Sequence, residues 1–378
     1  MNGKQTVIIF STAYMPFIGG AELAVKDITD RVEGLNFILL TARMRRDLPR
    51  QERIGSVEVY RVGLGTVFLD KLLSPFLASI RVRRLARQHS ICLFWSVMAS
   101  YTSITPALLH MFGLYRNIPL LVTLQEGDSE AHIARARLGL VGLGWQFLLR
   151  HAAHVQVIST YLAGLARTYG YTGDITIVPN GVDISRFQIS DFRFQRKEKI
   201  IITVSRLVKK NGVDMLIQAF AEVYKRYPEA KLYIVGDGEL RSDLEGLSRR
   251  LGIALAVTFF GSVPHERVPE YQKNADIFVR ASRSEGLGTS FLEAMAMGIP
   301  VIGTRVGGIP DFLLHEKTGL FAHVDDSVDL SRQILRLFED RVLYDTLSRN
   351  GRTLVENAYS WDSIAKRMET IFRNICVS

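Results

Sequence analysis

The stretch Ser284–Ala296, SEGLGTSFLEAMA, sets two carboxylates and two glycines around the start of an apolar helix. Phe291, Leu292, Met295 and Ala296 form the helix stripe, and the strand-like run Ile277–Ala281 comes directly before it. Glycine inside a helix costs roughly 1 kcal/mol against alanine, so Gly286 and Gly288 belong to a strand-to-helix turn. There, backbone N–H groups approach a ligand closely and the helix dipole adds positive potential. A diphosphate is the natural guest of such a turn. Glu285 and Glu293 flank it, and carboxylates there suit hydroxyl-rich partners, because they accept hydrogen bonds from sugar OH groups.

Other glycines follow strands in the same way. Gly19-Gly20 stands between the strand-like run Thr6–Phe10 and a helix from Ala21, where backbone can meet diphosphate or sugar. Gly236-Asp237-Gly238 follows Lys231–Val235; close backbone approach and an ordinary turn explain it equally well. The eight histidines show no metal spacing such as H-E-x-x-H and read as structural. No D-x-D occurs, so no metal is expected on the diphosphate and no cofactor is implied.

These residues need a scaffold of strands, and the chain supplies two series of them. Apolar runs at Thr6–Phe10, Asn36–Ala42, Val57–Val62, Ile91–Val97, Leu120–Gln125, His154–Ser159 and Ile175–Val178 predict strands. Helical patterns at Ala21–Val32, Leu72–His89, Thr102–Phe112, Ala131–His151 and Thr160–Tyr169 separate them. The alternation restarts at Lys199–Ser205 and runs through Lys231–Val235, Val257–Gly261, Ile277–Ala281 and Val301–Thr304. Near-continuous apolar strands separated by helices indicate parallel sheets covered on both faces. The expected fold is therefore α/β: two facing doubly wound, Rossmann-like domains with a cleft between them. The first spans 1–180, the second 181–360, and a helix over 361–378 is expected to pack back toward the first.

The ordered set of motifs resembles the family-four retaining glycosyltransferases of the GT-B fold. It comprises Gly19-Gly20-Ala21-Glu22, Asn180-Gly181-Val182-Asp183, Ser205-Arg206-Leu207, Gly236-Asp237-Gly238-Glu239-Leu240, Glu285 with Glu293, Gly298-Ile299-Pro300-Val301 and Gly307-Gly308-Ile309-Pro310-Asp311. By that resemblance the first domain binds the acceptor and the second the nucleotide sugar. Glu293 would hold ribose hydroxyls, and Glu285 the donor sugar beside the N–H groups of Gly286, Leu287, Gly288 and Thr289. Arg206 would meet the leaving diphosphate, and Val263 would pack on the base through its backbone. The family usually carries lysine where this chain has Asn211, so Lys210 becomes the candidate second cation. A histidine common after the strand Leu120–Gln125 is replaced here by Gln125-Glu126-Gly127-Asp128, with Gln125 and Glu126 as candidate sugar or acceptor contacts.

Bulk properties narrow the setting. The chain has 378 residues, 47% hydrophobic and 22% charged, as in soluble globular proteins. Two cysteines argue against a disulfide scaffold and fit a reducing compartment, so a cytoplasmic location is expected. No apolar run reaches the length of a membrane span. The net charge of +9 is local: Arg43–Arg87 holds 11 basic residues against 4 acidic ones. With Leu72-Leu73-Ser74-Pro75-Phe76-Leu77 beside it, this window suits peripheral attachment to anionic lipid; a solvated face is the other reading. No nucleic-acid motif accompanies the charge.

The activity expected is transfer of a hexose from a GDP- or UDP-linked donor to a hydroxyl acceptor, a glycan or lipid-linked glycan, with retention. In the family's front-face route an oxygen of the leaving diphosphate takes the acceptor's proton. Two rivals stand beside it: a degenerate nucleotide-binding protein without turnover, and a nucleotide-sugar epimerase.

Overall fold

The computed structural model describes residues 4–17, 19–127, 140–187 and 199–377. The chain divides into two compact units: Met1–Asn180 with Trp361–Ser378, and Gly181–Ser360.

The first unit is built on β1 (Thr6–Phe10), β2 (Asn36–Ala42), β3 (Gln51–Ile54), β4 (Val57–Val62), β5 (Ile91–Val97), β6 (Leu120–Leu124), β7 (His154–Val157) and β8 (Ile175–Ile177). They form one sheet in the order β3-β4-β2-β1-β5-β6-β7-β8. Every pairing is parallel except β3 with β4. All five residues of β1 are buried, which accounts for its unbroken apolar reading. The second unit holds β9 (Ile200–Val204), β10 (Lys231–Val235), β11 (Val257–Gly261), β12 (Ile277–Arg280), β13 (Val301–Thr304) and β14 (Leu320–Ala322). Its sheet is wholly parallel, in the order β11-β10-β9-β12-β13-β14.

Each strand expected from the sequence is present, within a residue or two at its ends. The sequence reading passed over β3, which is antiparallel and half exposed, and the three-residue β14. The helix expected over Leu72–His89 instead spans Val67–Leu85. Its early start follows from Asp70, a fully buried carboxylate that accepts N–H bonds from Met44, Leu64, Gly65 and Thr66 at 2.7–3.2 Å. A charge so enclosed by donors is stable in the interior, where a bare one would not be. The pattern read as one helix over Thr102–Phe112 is a 3-10 turn, Tyr101–Ile104, followed by a helix, Thr105–Met111. Of the helix expected over Ala131–His151, Leu140–Arg150 is seen; its earlier part and Asp128 lie outside the described residues.

The last helix, Trp361–Val377, completes the first unit. Its Ile364, Met368 and Phe372 are buried in the same core as Val7, Leu39 and Trp95. The Phe372 ring lies 5.0 Å from Trp95 and 5.9 Å from Phe37, centroid to centroid. Removing a buried aromatic of this kind costs about 3–5 kcal/mol.

Cys376 of that helix is bonded to Cys92 of β5, with Cα atoms 5.0 Å apart. One bond is not a disulfide scaffold, but it uses both cysteines of the chain. The pairing joins residues 284 positions apart, a juxtaposition that only the packing of the last helix creates. Such bonds persist in oxidising surroundings, which runs against the reducing compartment read from the cysteine count.

A cross-link closing so long a loop restricts the unfolded chain by on the order of 5 kcal/mol. Protein purified without reductant should therefore resist thiol alkylation, take up two adducts after reduction, and melt at a lower temperature once reduced. Alkylation of both thiols in the unreduced native protein would remove the bond from this account.

Candidate functional site

In the six-stranded sheet the chain runs outward from β9 through β10 to β11, then resumes on the other side of β9 and runs outward through β12, β13 and β14. The reversal falls between β9 and β12. Open α/β sheets bind ligands at such a point, beyond the carboxyl ends of the strands. Arg206 follows β9 at that rim, and Glu285, Gly286, Leu287, Gly288 and Thr289 follow β12.

Gly288 precedes the helix Thr289–Ala296 and has φ +96°, a left-handed conformation that glycine adopts at little cost. A Cβ there would meet the Phe291 ring at 2.9 Å. The turn thus delivers a helix N-terminus directly behind the strand end, where its first N–H groups have no partner within the helix. Leu287 is buried and anchors the turn. Glu285 is fixed from three sides. Its Oε1 accepts the Gly286 N–H at 3.0 Å, its carbonyl accepts the Gly308 N–H at 3.2 Å, and its Oε2 stands 2.5 Å from Arg280 Nη2.

The loop after β9 is held by side chains that the sequence reading did not single out. Arg283 makes a two-pronged bond to Asp214 at 2.8 and 2.9 Å, a third bond to Asp325 at 2.6 Å, and a fourth to the Lys209 carbonyl at 2.7 Å. The two acids raise the Arg283 pKa, and the guanidinium in turn holds the Asp214 carboxyl below its ordinary value against the raising effect of burial. The Arg283 N–H also donates to the Lys210 carbonyl at 2.7 Å. Asn211 is buried and donates to the Arg206 carbonyl at 2.7 Å. Arg206 and Lys209 are exposed and Lys210 half-buried, so the turn presents cations while its backbone is clamped.

Gly236 and Gly238 sit on the same rim, and both have a packing reason of their own. A Cβ on Gly236 would stand 1.9 Å from the Ser205 carbonyl oxygen, and one on Gly238 2.5 Å from that of Leu207. The structure therefore accounts for these glycines by the approach of neighbouring loops. Val263 lies in the loop after β11, two residues before His265.

Glu293 is buried, and its Oε1 is 2.7 Å from His265 Nε2. Among the histidines read as structural, His265 is thus the one that holds a candidate ligand-binding carboxylate in place. The Glu293 bond raises the His265 pKa against the lowering effect of burial; Glu266 adds to the rise and Arg186 opposes it. No local pattern could have shown this, because the partners are 28 residues apart.

The candidates of the first unit lie after β1 and β6, at the rim of the other sheet. Its order reverses between β1 and β5. Gly19 precedes the helix Gly20–Arg31 in extended conformation. A Cβ on Gly19 would meet Glu22 Oε2 at 2.7 Å, so a carboxylate already occupies this helix start. Burial raises the Glu22 pKa, and the N–H groups of Glu22 and Gly19 moderate the rise. Gln125 accepts from Asn180 Nδ2 at 3.1 Å. Glu126 is buried, and its oxygens accept the Ala99 and Gln125 N–H groups at 2.6 and 2.9 Å. Its carboxylate organises the loop.

A depression of about 760 Å³ lies apart from these residues, lined by Arg226, Arg332, Arg336 and Arg341. Each of its arginines is paired, with Glu339, Asp329, Glu316 and Asp345 respectively, so it offers an anion little unneutralised charge. Among the described residues no three His, Cys, Asp or Glu side chains form a metal-holding group.

Residues 185–373 match the family model described as Glycosyl transferases group 1, and residues 18–186 match that of Glycosyltransferase Family 4. A GDP-mannose-dependent alpha-(1-6)-phosphatidylinositol monomannoside mannosyltransferase of Mycobacterium tuberculosis is 29% identical over 310 residues, covering 78% of this chain and 79% of that protein. The sucrose-phosphate synthase of Thermosynechococcus elongatus superposes with a TM-score of 0.86 at 22% identity, over 99% of both chains. HepE of Anabaena, solved in complex with UDP and glucose, gives 0.77 at 19% identity over 98% of this chain and 99% of its own. The fold shared with these structures is GT-B.

The raised pKa of His265 has a thermodynamic consequence. Stability from the charged His265–Glu293 pair is fully present below the unfolded histidine value of about 6.5 and is lost as pH rises through the higher folded value. Urea midpoints of wild type and His265→Gln should therefore differ most below pH 6.5 and converge in alkali. A difference independent of pH would show that the imidazole contributes no charge.

Proposed function

Since the chain belongs to the glycosyl transferases group 1 family and is a glycosyltransferase, we propose that it moves a hexose from a GDP- or UDP-linked donor to a hydroxyl of a glycan or lipid-linked glycan, with retention. One observation carries this reading: the glycine turn at the β9/β12 reversal brings a helix N-terminus, Glu285 and the Arg206–Lys210 loop to one rim. The helix start and cations suit a diphosphate; the carboxylates suit hydroxyls of sugar and ribose. Glu285 holds the donor sugar, Glu293 the ribose, and Gly236 and Val263 line the nucleotide side. Within the first unit, Gly19 and Gly20 are the candidates for diphosphate or sugar, and Gln125 and Glu126 those for sugar or acceptor. The name of the mycobacterial relative and the UDP and glucose of the Anabaena complex support a nucleotide-sugar donor.

The chemistry needs no side-chain base. As the glycosidic bond to the diphosphate breaks, negative charge grows on the diphosphate oxygens, and one of them accepts the acceptor hydroxyl's proton on the same face. Arg206, Lys210 and the turn's N–H groups stabilise that charge, usually the largest single contribution in such catalysis. A hydrogen bond to a charged group is worth roughly 1.5–3 kcal/mol, so Lys210→Ala should slow transfer about ten- to a hundredfold. Activity should survive chelation of divalent metals. A screen of sugar nucleotides by thermal shift and transfer assay identifies the donor. Nucleotide binding without transfer or hydrolysis would mean a degenerate binding protein. Loss of activity on chelation, with recovery on adding magnesium or manganese, would put a metal where the lysine is placed.

A lipid-borne acceptor is supported by the helix Val67–Leu85. Val67, Phe68, Leu72, Phe76 and Ile80 stand out at 54, 73, 47, 62 and 54% exposure, far above the core residues of the same helix. Exposed Arg83, Arg84 and Arg87 follow at its end. Apolar side chains beside cations suit an anionic lipid surface. The basic window is less free than its count suggests: Arg45 pairs with Asp47, Arg61 is buried against Glu52, and Arg81 lies over the Tyr60 ring at 4.0 Å. No described helix is long and apolar enough to cross a membrane.

Vesicles containing phosphatidylserine should therefore sediment the protein in a salt-dependent manner. An Arg83/Arg84/Arg87→Ser variant should lose most of that attachment, each charge contributing about 1 kcal/mol. Phe68/Phe76→Ser should weaken it at every salt concentration. Attachment unchanged by all of these would make the helix an ordinary solvated face.

A further inference from the structure

Glu285 meets Asn211 and Ser290 at a side chain to which nothing above assigns a role. Arg280 ends β12, and its side chain is only 12% exposed. Its Nη2 is 2.5 Å from Glu285 Oε2 and 3.0 Å from Asn211 Oδ1, and its Nη1 is 3.0 Å from Ser290 Oγ. Asn211 passes the contact on, donating to the Arg206 carbonyl at 2.7 Å. One guanidinium therefore touches the loop after β9, the carboxylate after β12 and the second residue of the helix Thr289–Ala296.

Asn211 lies 69 positions from Arg280 in sequence and carries no charge. A cation in its place would face the guanidinium across a hydrogen-bond distance inside a poorly hydrated pocket, where like charges repel strongly. The pocket thus has room for one cation. Glu285 Oε2 has the guanidinium as its ionic partner, and the buried Arg280 Nε makes no hydrogen bond among the described residues. The Arg280–Glu285 contact is an ion pair out of line for a hydrogen bond.

We propose that positions 211 and 280 together hold a single cation, here Arg280, and that Arg280 is a positioning residue which sets Glu285 and the Arg206 loop in register for transfer. This rests on the proposed function for its catalytic half, and on geometry alone for its charge half. The family resemblance, which expects lysine at 211, fits a cation that has moved to 280.

The test is a double-mutant cycle on the full chain with Arg280→Met, Asn211→Lys and the pair. Urea midpoints read the charge half without any assay of activity. Asn211→Lys should be strongly destabilised, and adding Arg280→Met should recover much of the loss, because one cation then remains. Strictly additive midpoint losses would overturn the single-cation pocket. Transfer kinetics and titration with the free nucleoside diphosphate read the other half. Arg280→Met should lower kcat tenfold or more with nucleotide Kd changed less than about threefold. Arg280→Lys, which keeps the charge and folds more readily, should lie between wild type and Arg280→Met in kcat. Nucleotide affinity falling in step with kcat, or Arg280→Lys no better than Arg280→Met, would overturn the positioning role. Absence of transfer by wild type from every sugar nucleotide would overturn both that role and the proposed function, while the midpoints still decide whether the pocket holds one cation.

Discussion

A turn that attracts anions and a carboxylate beside it are in conflict, and the pairing of Glu285 with Arg280 is how this rim accommodates both. Without a cation at hand, Glu285 would weaken the positive potential that the helix start supplies. With the guanidinium 2.5 Å away, the carboxylate keeps its acceptor oxygens while its field is largely cancelled. The neighbouring backbone is arranged around this pair. Gly308 donates to the Glu285 carbonyl, Asn211 relays the guanidinium to the Arg206 carbonyl, and Ser290 ties it to the helix.

A second clamp acts on the same loops from outside. Arg283, three residues beyond Arg280, holds Asp214, Asp325 and the Lys209 carbonyl. Arg280 is the last residue of β12 and Arg283 lies in the bend beyond it, and the two arginines engage different partners. Together they fix the loops at the carboxyl ends of β9 and β12 without using the exposed cations Arg206 and Lys209. Preorganisation of this sort lets charge be stabilised during a reaction without rearrangement at that moment.

The strands were legible because parallel sheets bury both faces, leaving runs such as Val7–Phe10 and Ile200–Ile202 apolar throughout. Glu285, Glu293 and the glycines between strand and helix were legible for a local reason, the cost of glycine at a helix start. Arg280 was not, because within Ile277–Ala281 it reads as one polar residue in a strand; its partners come from positions 211, 285 and 290. The partners of His265 and Glu126 were not legible for the same reason. Their meaning lies in what the fold places against them, a buried carboxylate in one case and two backbone N–H groups in the other. Charge counting along Arg43–Arg87 overstated the free positive surface, since side chains as different as Tyr60 and Glu52 take up part of it.

The placement of Trp361–Val377 in the first unit has a consequence for how the chain is made. The core around Val7, Leu39 and Trp95 includes side chains from the final helix, so a nascent first unit lacks them while Gly181–Ser360 is synthesised. Those 180 residues take on the order of 10–40 s to translate at about 5–20 residues per second. Through that interval Phe37 and Trp95 lack their Phe372 partner, and Cys92 is without the sulfur it will bond. The second unit, whose segments are contiguous, meets no such delay. Of the two units, the one that emerges first is therefore the one whose core is completed last.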